Sequence, residues 1–255
     1  MDVIFMLSLP STFKSYNTTF QLIKRQPYVY SYRLKLFMLK YGFVQNLLKT
    51  CLYHSIKRTQ NEVCKVKNLT IDAINENDIL SKDYFTYLYA LCRSLKPYVV
   101  VETGVGLGAS STFILQALQD NGFGQLYSID LPQATYPSDA GININESAYT
   151  SQTDLPGCLI PDHLRKDWVL LLGKSRDKLL PLCRRLGEID LFFHDSEHTH
   201  QNMIDEYDTV WPYLREHGIL ASHDIDWNGA FTEFTEKHKG RVIISRKGFG
   251  FLIHQ

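Results

Sequence analysis

The sequence predicts an α/β fold in which a mostly parallel, doubly wound sheet ends in an antiparallel hairpin. From residue 98 onward, short apolar runs of strand length alternate with longer segments of helical periodicity, a pattern typical of parallel sheets covered by helices. The C-terminal sequence "RVIISRKGFGFLIHQ" contains two short apolar runs separated by a turn, which indicates two antiparallel strands.

The elements of this fold are assigned in chain order from hydrophobic periodicity. A helix is expected over 79–95, and it ends before Pro97. Strands are expected at 98–103, 125–131, 168–172, 189–194 and 219–223, with helices between them near 110–119, 177–186 and 199–214. The interval 132–161 is rich in Pro, Gly, Ser and Asn, and its length predicts a functional loop that covers the substrate pocket.

Charge divides the chain into two parts. Residues 1–70 carry eleven Lys and Arg but two acidic residues, a net charge of +9, and because the whole chain is neutral the remainder carries −9. We therefore expect a basic, aromatic-rich helical extension over 1–77 and one domain over 78–255. Within the extension, 31–57 has helical periodicity with basic residues on its polar faces. This helix could pack on the domain as a lid or oligomerisation element, or contact an anionic membrane surface through 31–58.

The cysteines and the apolar runs bear on the compartment. Five cysteines with no C-x-x-C pair argue against a disulfide framework or a zinc cage and suit a reducing compartment. The N-terminus has an acid where a signal peptide has basic residues. No run reaches the roughly 18 apolar residues of a transmembrane helix. We therefore expect a cytoplasmic protein.

A glycine-rich turn follows the first strand, in "VVVETGVGLGASS". Gly104, Gly106 and Ala109 match the dinucleotide pattern G-x-G-x-x-A, in which backbone N–H groups hold a pyrophosphate. The same turn also reads Glu102-x-Gly104-x-Gly106, and an acid at the strand end suits a cationic amino-acid tail but repels a pyrophosphate. Glu102 therefore favours S-adenosylmethionine (SAM) over NAD. The terminal hairpin favours SAM too, because it resembles the end of the sheet in class I methyltransferases.

Five blocks of the sequence together resemble one enzyme family. They are "VVVETGVGLGASS", "LYSIDLP", "WVLLLGKSRDKLLPL", "IDLFFHDSEHTHQNMIDEYDTVWPYL" and "GILASHDI". In order and spacing they are similar to the class I SAM-dependent methyltransferases, which have a Rossmann-like fold. The similarity is greatest to the small-molecule O-methyltransferases of the catechol O-methyltransferase-like and cephalosporin-hydroxylase-like groups. The resemblance covers about 78–255 and implies a small-molecule hydroxyl acceptor and a homo-oligomer.

The resemblance also assigns the cofactor residues. Asp130, which ends the second strand, would bind the ribose hydroxyls, a contact that NAD enzymes share. The other cofactor contacts fall on Glu102, Gly104, Gly106, Ser175, Arg176 and Asp195. Of these, Glu102 would hold the methionine part of SAM. Ser175 and Arg176 would lie on the adenine side, or else they simply begin the next helix.

The sequence "HDSEHTH" follows the fourth strand, at the edge where open α/β sheets bind ligands. By resemblance, Asp195 is a metal ligand, and Asp224, after the fifth strand, is the second. Catechol-type enzymes have Asn at the position of Ile225, and the other group has an acid at the position of His223. A site made of Asp195, His223 and Asp224 could hold Mg²⁺ but suits Mn²⁺, iron or Zn²⁺ better.

His198 occupies the position at which catechol-type enzymes have a lysine base. Histidine has an ordinary pKa of about 6.5 and can remove a hydroxyl proton near neutral pH, and the alternative is a surface histidine at a helix start. The expected reaction is in-line transfer of a methyl group to a hydroxyl, assisted by Asp195 and His198, a divalent cation, or both.

Two other functions stay open. An NAD-dependent oxidoreductase would use the glycine turn as a phosphate site, and a nucleic-acid methyltransferase would explain the basic extension. Enzymes that methylate exocyclic amines carry an Asn or Asp followed by two prolines and an aromatic residue after the fourth strand, where this chain has "HDSEH". We therefore expect no nucleic-acid partner.

Overall fold

The computed structural model describes residues 84–131, 156–238, 241–244 and 248–255. The extension over 1–77 and most of the loop over 132–161 lie outside these residues, so the expectations about them stay predictions. Among the helices that are described, none is long and apolar enough to cross a membrane.

The described residues contain five α-helices, seven β-strands and two short 3-10 turns. The helices are α1 (Tyr84–Leu95), α2 (Ala109–Asn121), α3 (Ser175–Leu186), α4 (His200–Val210) and α5 (Ala230–His238). The strands are β1 (Val99–Thr103), β2 (Gln125–Asp130), β3 (Trp168–Leu172), β4 (Ile189–His194), β5 (Leu214–Ser222), β6 (Arg241–Ile244) and β7 (Gly250–Ile253). The 3-10 turns span Asp162–Asp167 and Trp211–Tyr213.

The strands form one seven-stranded sheet in the order β3-β2-β1-β4-β5-β7-β6. Strands β1 to β5 are parallel to one another, and β7 is antiparallel to both β5 and β6. The predicted fold class and its terminal antiparallel hairpin are therefore confirmed. The strand order reverses between β1 and β4, and the crevice beyond the carboxyl ends of these two strands is where open α/β sheets bind ligands.

Apolar clusters on both faces of the sheet bury its central strands. In β4, Leu191 and Phe193 pack in the cluster with α1 and α2, whereas Phe192 packs in the cluster with α3, α4 and α5. Successive side chains of a strand point to opposite faces, so a strand buried on both faces is an unbroken apolar run. Each fully buried Leu or Phe stabilises the fold by about 1.5–3 kcal/mol. This burial fixes the frame on which the carboxyl end of β4 lies.

One predicted helix is too long. The sequence predicts a helix over 199–214, but α4 ends at Val210 and a 3-10 turn follows. Pro212 lies in that turn, and because proline has no backbone N–H it cannot continue the α-helical hydrogen bonds. Strand β5 consequently begins at Leu214, five residues before the predicted start at residue 219.

One helix is missing from the prediction. Helix α5 has nine residues, and its buried side chains are Ala230, Phe231, Phe234 and Thr235. These residues provide only two turns of helical periodicity, which is too short a pattern to separate a helix from a loop.

Candidate active site

The glycine-rich turn joins β1 to α2 at the reversal of strand order. Gly104 (φ +81) and Gly108 (φ +103) have left-handed backbone conformations, which residues with a Cβ rarely adopt. A Cβ at Gly104 would lie 1.9 Å from the backbone carbonyl oxygen of Asp195. The backbone N–H of Asp195 donates to the carbonyl of Thr103 at 2.8 Å. The turn is therefore in direct backbone contact with the segment that follows β4.

Asp130 binds this turn from the end of β2. Its Oδ2 accepts hydrogen bonds from the backbone N–H groups of Val105 (2.8 Å) and Gly106 (2.9 Å), and its Oδ1 accepts from the N–H of Leu131 (2.6 Å). The N–H groups of the turn are the donors that a pyrophosphate would need. A carboxylate in that position repels phosphate, so the arrangement disfavours the dinucleotide interpretation of the turn.

Glu102 is buried beneath the turn. Its carboxylate accepts hydrogen bonds from the hydroxyls of Ser110 (2.6 Å) and Ser111 (2.6 Å) in α2 and of Ser128 (2.8 Å) in β2. Ser128 in turn accepts a hydrogen bond from the indole N–H of Trp168 at 2.9 Å. Glu102 thus links β1, α2 and β2 behind the turn and holds them together. Its contact with the methionine part of SAM stays a prediction.

Burial raises the pKa of Glu102 from 4.5 to about 7, although its three serine partners oppose the shift. Between these two pH values the folded state binds a proton that the unfolded state has lost, so the free energy of unfolding falls as the pH rises. Between pH 5 and pH 8 we expect this glutamate alone to lower the free energy of unfolding by on the order of 2–3 kcal/mol. Urea unfolding at both pH values should show that this part of the loss disappears in Glu102→Gln but persists in the control Glu216→Gln, which changes an exposed carboxylate. Equal pH dependence in the wild type and Glu102→Gln would contradict the prediction.

Ser175 and Arg176 lie where β3 leads into α3. The N–H of Gly173 donates to the carbonyl of Asp130 at 2.9 Å, which places this segment beside the end of β2. The Ser175 hydroxyl lies 3.5 Å from the side-chain oxygen of Asn202. The guanidinium of Arg176 is exposed. Both residues are thus at the sheet edge that carries Asp130, and their contact with adenine stays a prediction.

Asp195, His198, His223 and Asp224 form an acid–imidazole cluster beyond the carboxyl ends of β4 and β5. Nδ1 of His223 lies 3.0 Å from Oδ1 of Asp195, and its Nε2 lies 3.3 Å from Oδ1 of Asp224. Nε2 of His198 lies 3.7 Å from a carboxylate oxygen of each aspartate. The structure therefore brings together the residues that the sequence assigns to catalysis and to metal binding.

Two aromatic rings that the sequence analysis does not identify flank the cluster. Tyr84, the first residue of α1, packs on His223 with ring centroids 4.1 Å apart, and its hydroxyl donates to Oδ2 of Asp195 at 3.4 Å. Trp227 is 58% exposed and its ring is nearly parallel to that of His198, with centroids 5.8 Å apart. Trp227 follows Asp224 closely in the sequence, and this closeness could have indicated that Trp227 lies beside the cluster. Tyr84 is separated from Asp195 by 111 positions, and no local pattern indicates the contact.

His198 has a free ring nitrogen. Its Nε2 is buried and has no hydrogen-bond partner within the described part of the chain. Burial lowers the pKa of His198, an effect that the two aspartates of the cluster oppose. A neutral imidazole has a lone pair on one ring nitrogen. In the tautomer with its proton on Nδ1, Nε2 can therefore accept a proton or bind a metal ion.

The other two histidines of "HDSEHTH" lie outside the cluster. His194 is fully buried, and its Nδ1 lies 2.7 Å from a carboxylate oxygen of Glu206 in α4. His200 is exposed, and its Nε2 lies 3.0 Å from Glu233 in α5. Glu206 is a further residue that the sequence analysis does not identify. The three histidines of this sequence do not converge on one point.

The donor atoms of the cluster suit a divalent cation. One ligand atom each from Asp195, His198 and His223 lies within 4.8 Å of the other two. Nε2 of His198 is the unsatisfied atom among them. Two imidazoles beside carboxylates suit Mn²⁺, iron and Zn²⁺ better than Mg²⁺, which prefers oxygen ligands. The residues present therefore fit the kind of ion that the resemblance implies.

Solved structures share this fold at low sequence identity. The Podospora anserina methyltransferase PaMTH1, solved with S-adenosylhomocysteine (SAH), has a TM-score of 0.52 and 13% identity, and the match covers 80% of this chain and 86% of that chain. The O-methyltransferase TomG from Streptomyces achromogenes has a TM-score of 0.50 and 18% identity, with 80% and 90% covered. The TDP-rhamnose 3'-O-methyltransferase CalS11 has a TM-score of 0.51 and 15% identity, with 76% and 92% covered.

The sequence itself matches one family model. Residues 101–225 match the model of a methyltransferase domain, a range that begins in β1 and ends directly after Asp224. The matched range thus includes the glycine turn, Asp130 and the whole acid–imidazole cluster. No curated protein matches the sequence. The match covers just under half of the chain, and together with the shared fold it makes this domain similar to methyltransferase domains.

Proposed function

We propose that the protein transfers a methyl group from SAM to a hydroxyl group of a small molecule. The observation that carries the proposal is the direct backbone contact between Gly104 and Asp195, which joins the glycine turn to the acid–imidazole cluster. Methyl transfer from a sulfonium requires the acceptor oxygen to lie in line with the S–CH₃ bond and to lose its proton. A cofactor on the turn and an acceptor at the cluster would be adjacent.

On the cofactor side, the turn would lie against SAM through backbone atoms. Asp130 would bind the ribose hydroxyls, and Gly104 and Gly106 would leave room for the methionine part. Glu102 would hold the methionine part of SAM from its place beneath the turn. Ser175 and Arg176 would be on the adenine side. The carboxylate of Asp130 on the N–H groups of the turn supports SAM over NAD.

On the acceptor side, Nε2 of His198 would take the proton of the acceptor hydroxyl. Its lack of a hydrogen-bond partner within the described residues supports this role. Asp195, His223 and Asp224 would hold a divalent cation, Mg²⁺ or Mn²⁺, and would orient the acceptor. The lone pair of His198 would then serve the proton and not the cation. When bound, the cation would supply positive charge that stabilises the deprotonated oxygen. The methyl group would then pass to the oxygen in one displacement, with no covalent enzyme intermediate.

The remaining expectations are part of the same proposal. The enzyme would be cytoplasmic and homo-oligomeric and would have no nucleic-acid partner. Contact with a membrane surface through 31–58 stays a prediction, and so does the division of the chain at residue 77.

Transfer of a radiolabelled methyl group tests the proposal. Chelator-treated full-length protein is incubated with methyl-labelled SAM and a panel of phenols, glycosides and hydroxylated lipids, with and without Mg²⁺ or Mn²⁺. A parallel incubation contains RNA in place of the panel. We expect the label in an ether of one of these compounds. Label in RNA with none in the panel would contradict the proposal and favour a nucleic-acid methyltransferase.

The cation site makes a separate prediction. Mn²⁺ titration followed by electron paramagnetic resonance should show one bound ion in the wild type. Asp195→Asn should lower the Mn²⁺ affinity by more than the roughly 10–100-fold that results when only a group bonded to a metal ligand is removed. The matched control is Asp205→Asn, which changes an exposed carboxylate bonded to Gln201 in α4. Equal Mn²⁺ affinity in both variants would place the ion elsewhere.

A further inference from the structure

A buried carboxylate lies directly behind the acid–imidazole cluster. Glu206 in α4 is 1% exposed. The side chains that bind its two oxygens include those of Thr103 (2.5 Å), His194 (2.7 Å), Ser196 (2.7 Å) and Asn202 (3.2 Å). A carboxylate only accepts hydrogen bonds, so Nδ1 of His194 carries the proton of that bond. Burial opposes ionisation of Glu206, yet His194 and the hydroxyl partners lower its pKa below the ordinary value.

Three of these partners are next to Asp195, two of them in the sequence and one through a backbone hydrogen bond. His194 and Ser196 are the residues directly before and after Asp195, and both bind the same Glu206 carboxylate. The third partner, Thr103, accepts the backbone N–H of Asp195 at its carbonyl. One carboxylate therefore fixes the backbone on both sides of Asp195 and also the strand end that leads into the glycine turn.

The side chains that bind Glu206 also contact His198 or the residue next to it. The ring of His194 contacts the ring of His198 edge to face, with centroids 5.4 Å apart. Asn202, which donates to Glu206, also donates to the carbonyl of Glu197 at 2.9 Å, one residue before His198. Both cluster residues that follow β4 are thus held by groups bonded to Glu206.

Stability alone does not account for this arrangement. Burying an ionised carboxylate costs several kcal/mol of desolvation, and well-packed apolar side chains of similar volume are often as stabilising as a buried ion pair. A buried carboxylate that orients catalytic or metal-binding side chains has a functional reason to be retained. Removal of such a group typically lowers activity or metal affinity about 10–100-fold.

We propose that Glu206 is a positioning residue that sets the orientation of Asp195 and His198 against the glycine turn. The expected loss of kcat rests on the proposed function. The expected change in the orientation of Asp195 and His198 does not. Because Glu206 is 1% exposed, it would contact neither cofactor nor acceptor directly and would act through His194, Ser196 and Thr103.

The test compares Glu206→Gln with Asp205→Asn, a neighbouring exposed carboxylate of the same helix. In full-length protein labelled with ¹⁵N-histidine, Glu206→Gln should move the imidazole signals of His198 and His223 and leave those of His217 and His254 unchanged. With an acceptor in hand, kcat should fall about 10–100-fold while the KM for SAM changes less than about threefold. Asp205→Asn should behave as the wild type in both measurements.

Unmoved His198 and His223 signals in folded Glu206→Gln would overturn the proposal. A uniform shift of all histidine signals with equal losses in kcat and SAM binding would also overturn it, since that is the result of general loosening. Should Glu206→Gln fail to fold, Ser196→Ala removes a single hydrogen bond to Glu206 and is judged by the same signals. The spectra need no turnover, so a wild type that transfers no methyl group refutes the proposed function without deciding this inference.

Discussion

His198→Gln lowers kcat by about 10²- to 10⁴-fold and leaves the Kd for SAH within about twofold of the wild type. The large effect is expected because glutamine occupies a similar volume but cannot take up a proton. The small effect on SAH is expected because His198 contacts the cluster and Trp227, whereas the cofactor would lie on the glycine turn. The measurement pairs methyl-transfer kinetics with calorimetric titration of SAH.

The matched control for this variant is His200→Gln. His200 is two positions further along the chain, is exposed, and pairs with Glu233 rather than with the cluster. We expect wild-type kinetics from it. Near-normal turnover in His198→Gln would remove the general-base role, and a cation held by Asp195 and Asp224 would then have to activate the acceptor alone.

Gly104→Ala raises the Kd for SAH at least about 100-fold and lowers the free energy of unfolding by more than about 2 kcal/mol. A left-handed conformation costs a residue with a Cβ about 1–2 kcal/mol. In addition, the new methyl group would lie 1.9 Å from the carbonyl oxygen of Asp195 and 2.4 Å from its carbonyl carbon. Backbone atoms cannot rotate away, so the turn and the segment after β4 must separate, and the cofactor site separates with them.

Gly122→Ala isolates the effect of the overlap. Gly122 has nearly the same backbone conformation (φ +82), but a Cβ there would meet no atom of the described residues within 4 Å. We expect a loss of about 1 kcal/mol in the free energy of unfolding and unchanged SAH binding. If Gly104→Ala bound SAH as well as Gly122→Ala does, the contact between the turn and Asp195 would have no functional meaning. Calorimetry and urea unfolding of both variants decide the point.

The parts of the fold that were predictable are those with a strong local pattern. Strand β4 matches its predicted range because a strand buried on both faces is a nearly continuous apolar run. Edge strand β3 is only partly buried, and it matches its range because the apolar run "WVLLL" ends at Gly173. The predicted start of β5 was wrong because apolar and polar residues alternate too weakly in "LREH" to indicate a strand. This segment belongs to β5 because it pairs with β4. Helix α5 was missed because its two turns contain too few apolar positions.

The candidate site was predictable where strand ends provide it. Asp195 and Asp224 follow β4 and β5, and parallel strands bring their carboxyl ends to one edge, so their proximity follows from the topology. Tyr84 comes from a helix before the sheet, and no rule of spacing places it there. Glu206 did leave a signal, since an acid between Met203 and Tyr207 lies on the apolar face of α4.

The burial of Glu102 was not predictable for a different reason. Its three serine partners come from α2 and β2, and the sequence does not indicate that their hydroxyls point toward β1. A strand-end acid beside a glycine turn was therefore expected to face the cofactor. Its pH-dependent stability distinguishes a buried carboxylate from an exposed one.

Calorimetric titration of SAH into chelator-treated wild type and Asp130→Ala tests the central claim most directly. We expect heat of binding in the wild type and its loss in Asp130→Ala, because this carboxylate both holds the turn and would bind the ribose. Absence of heat with SAH, together with binding of NADH, would contradict the account and make the glycine turn a phosphate site.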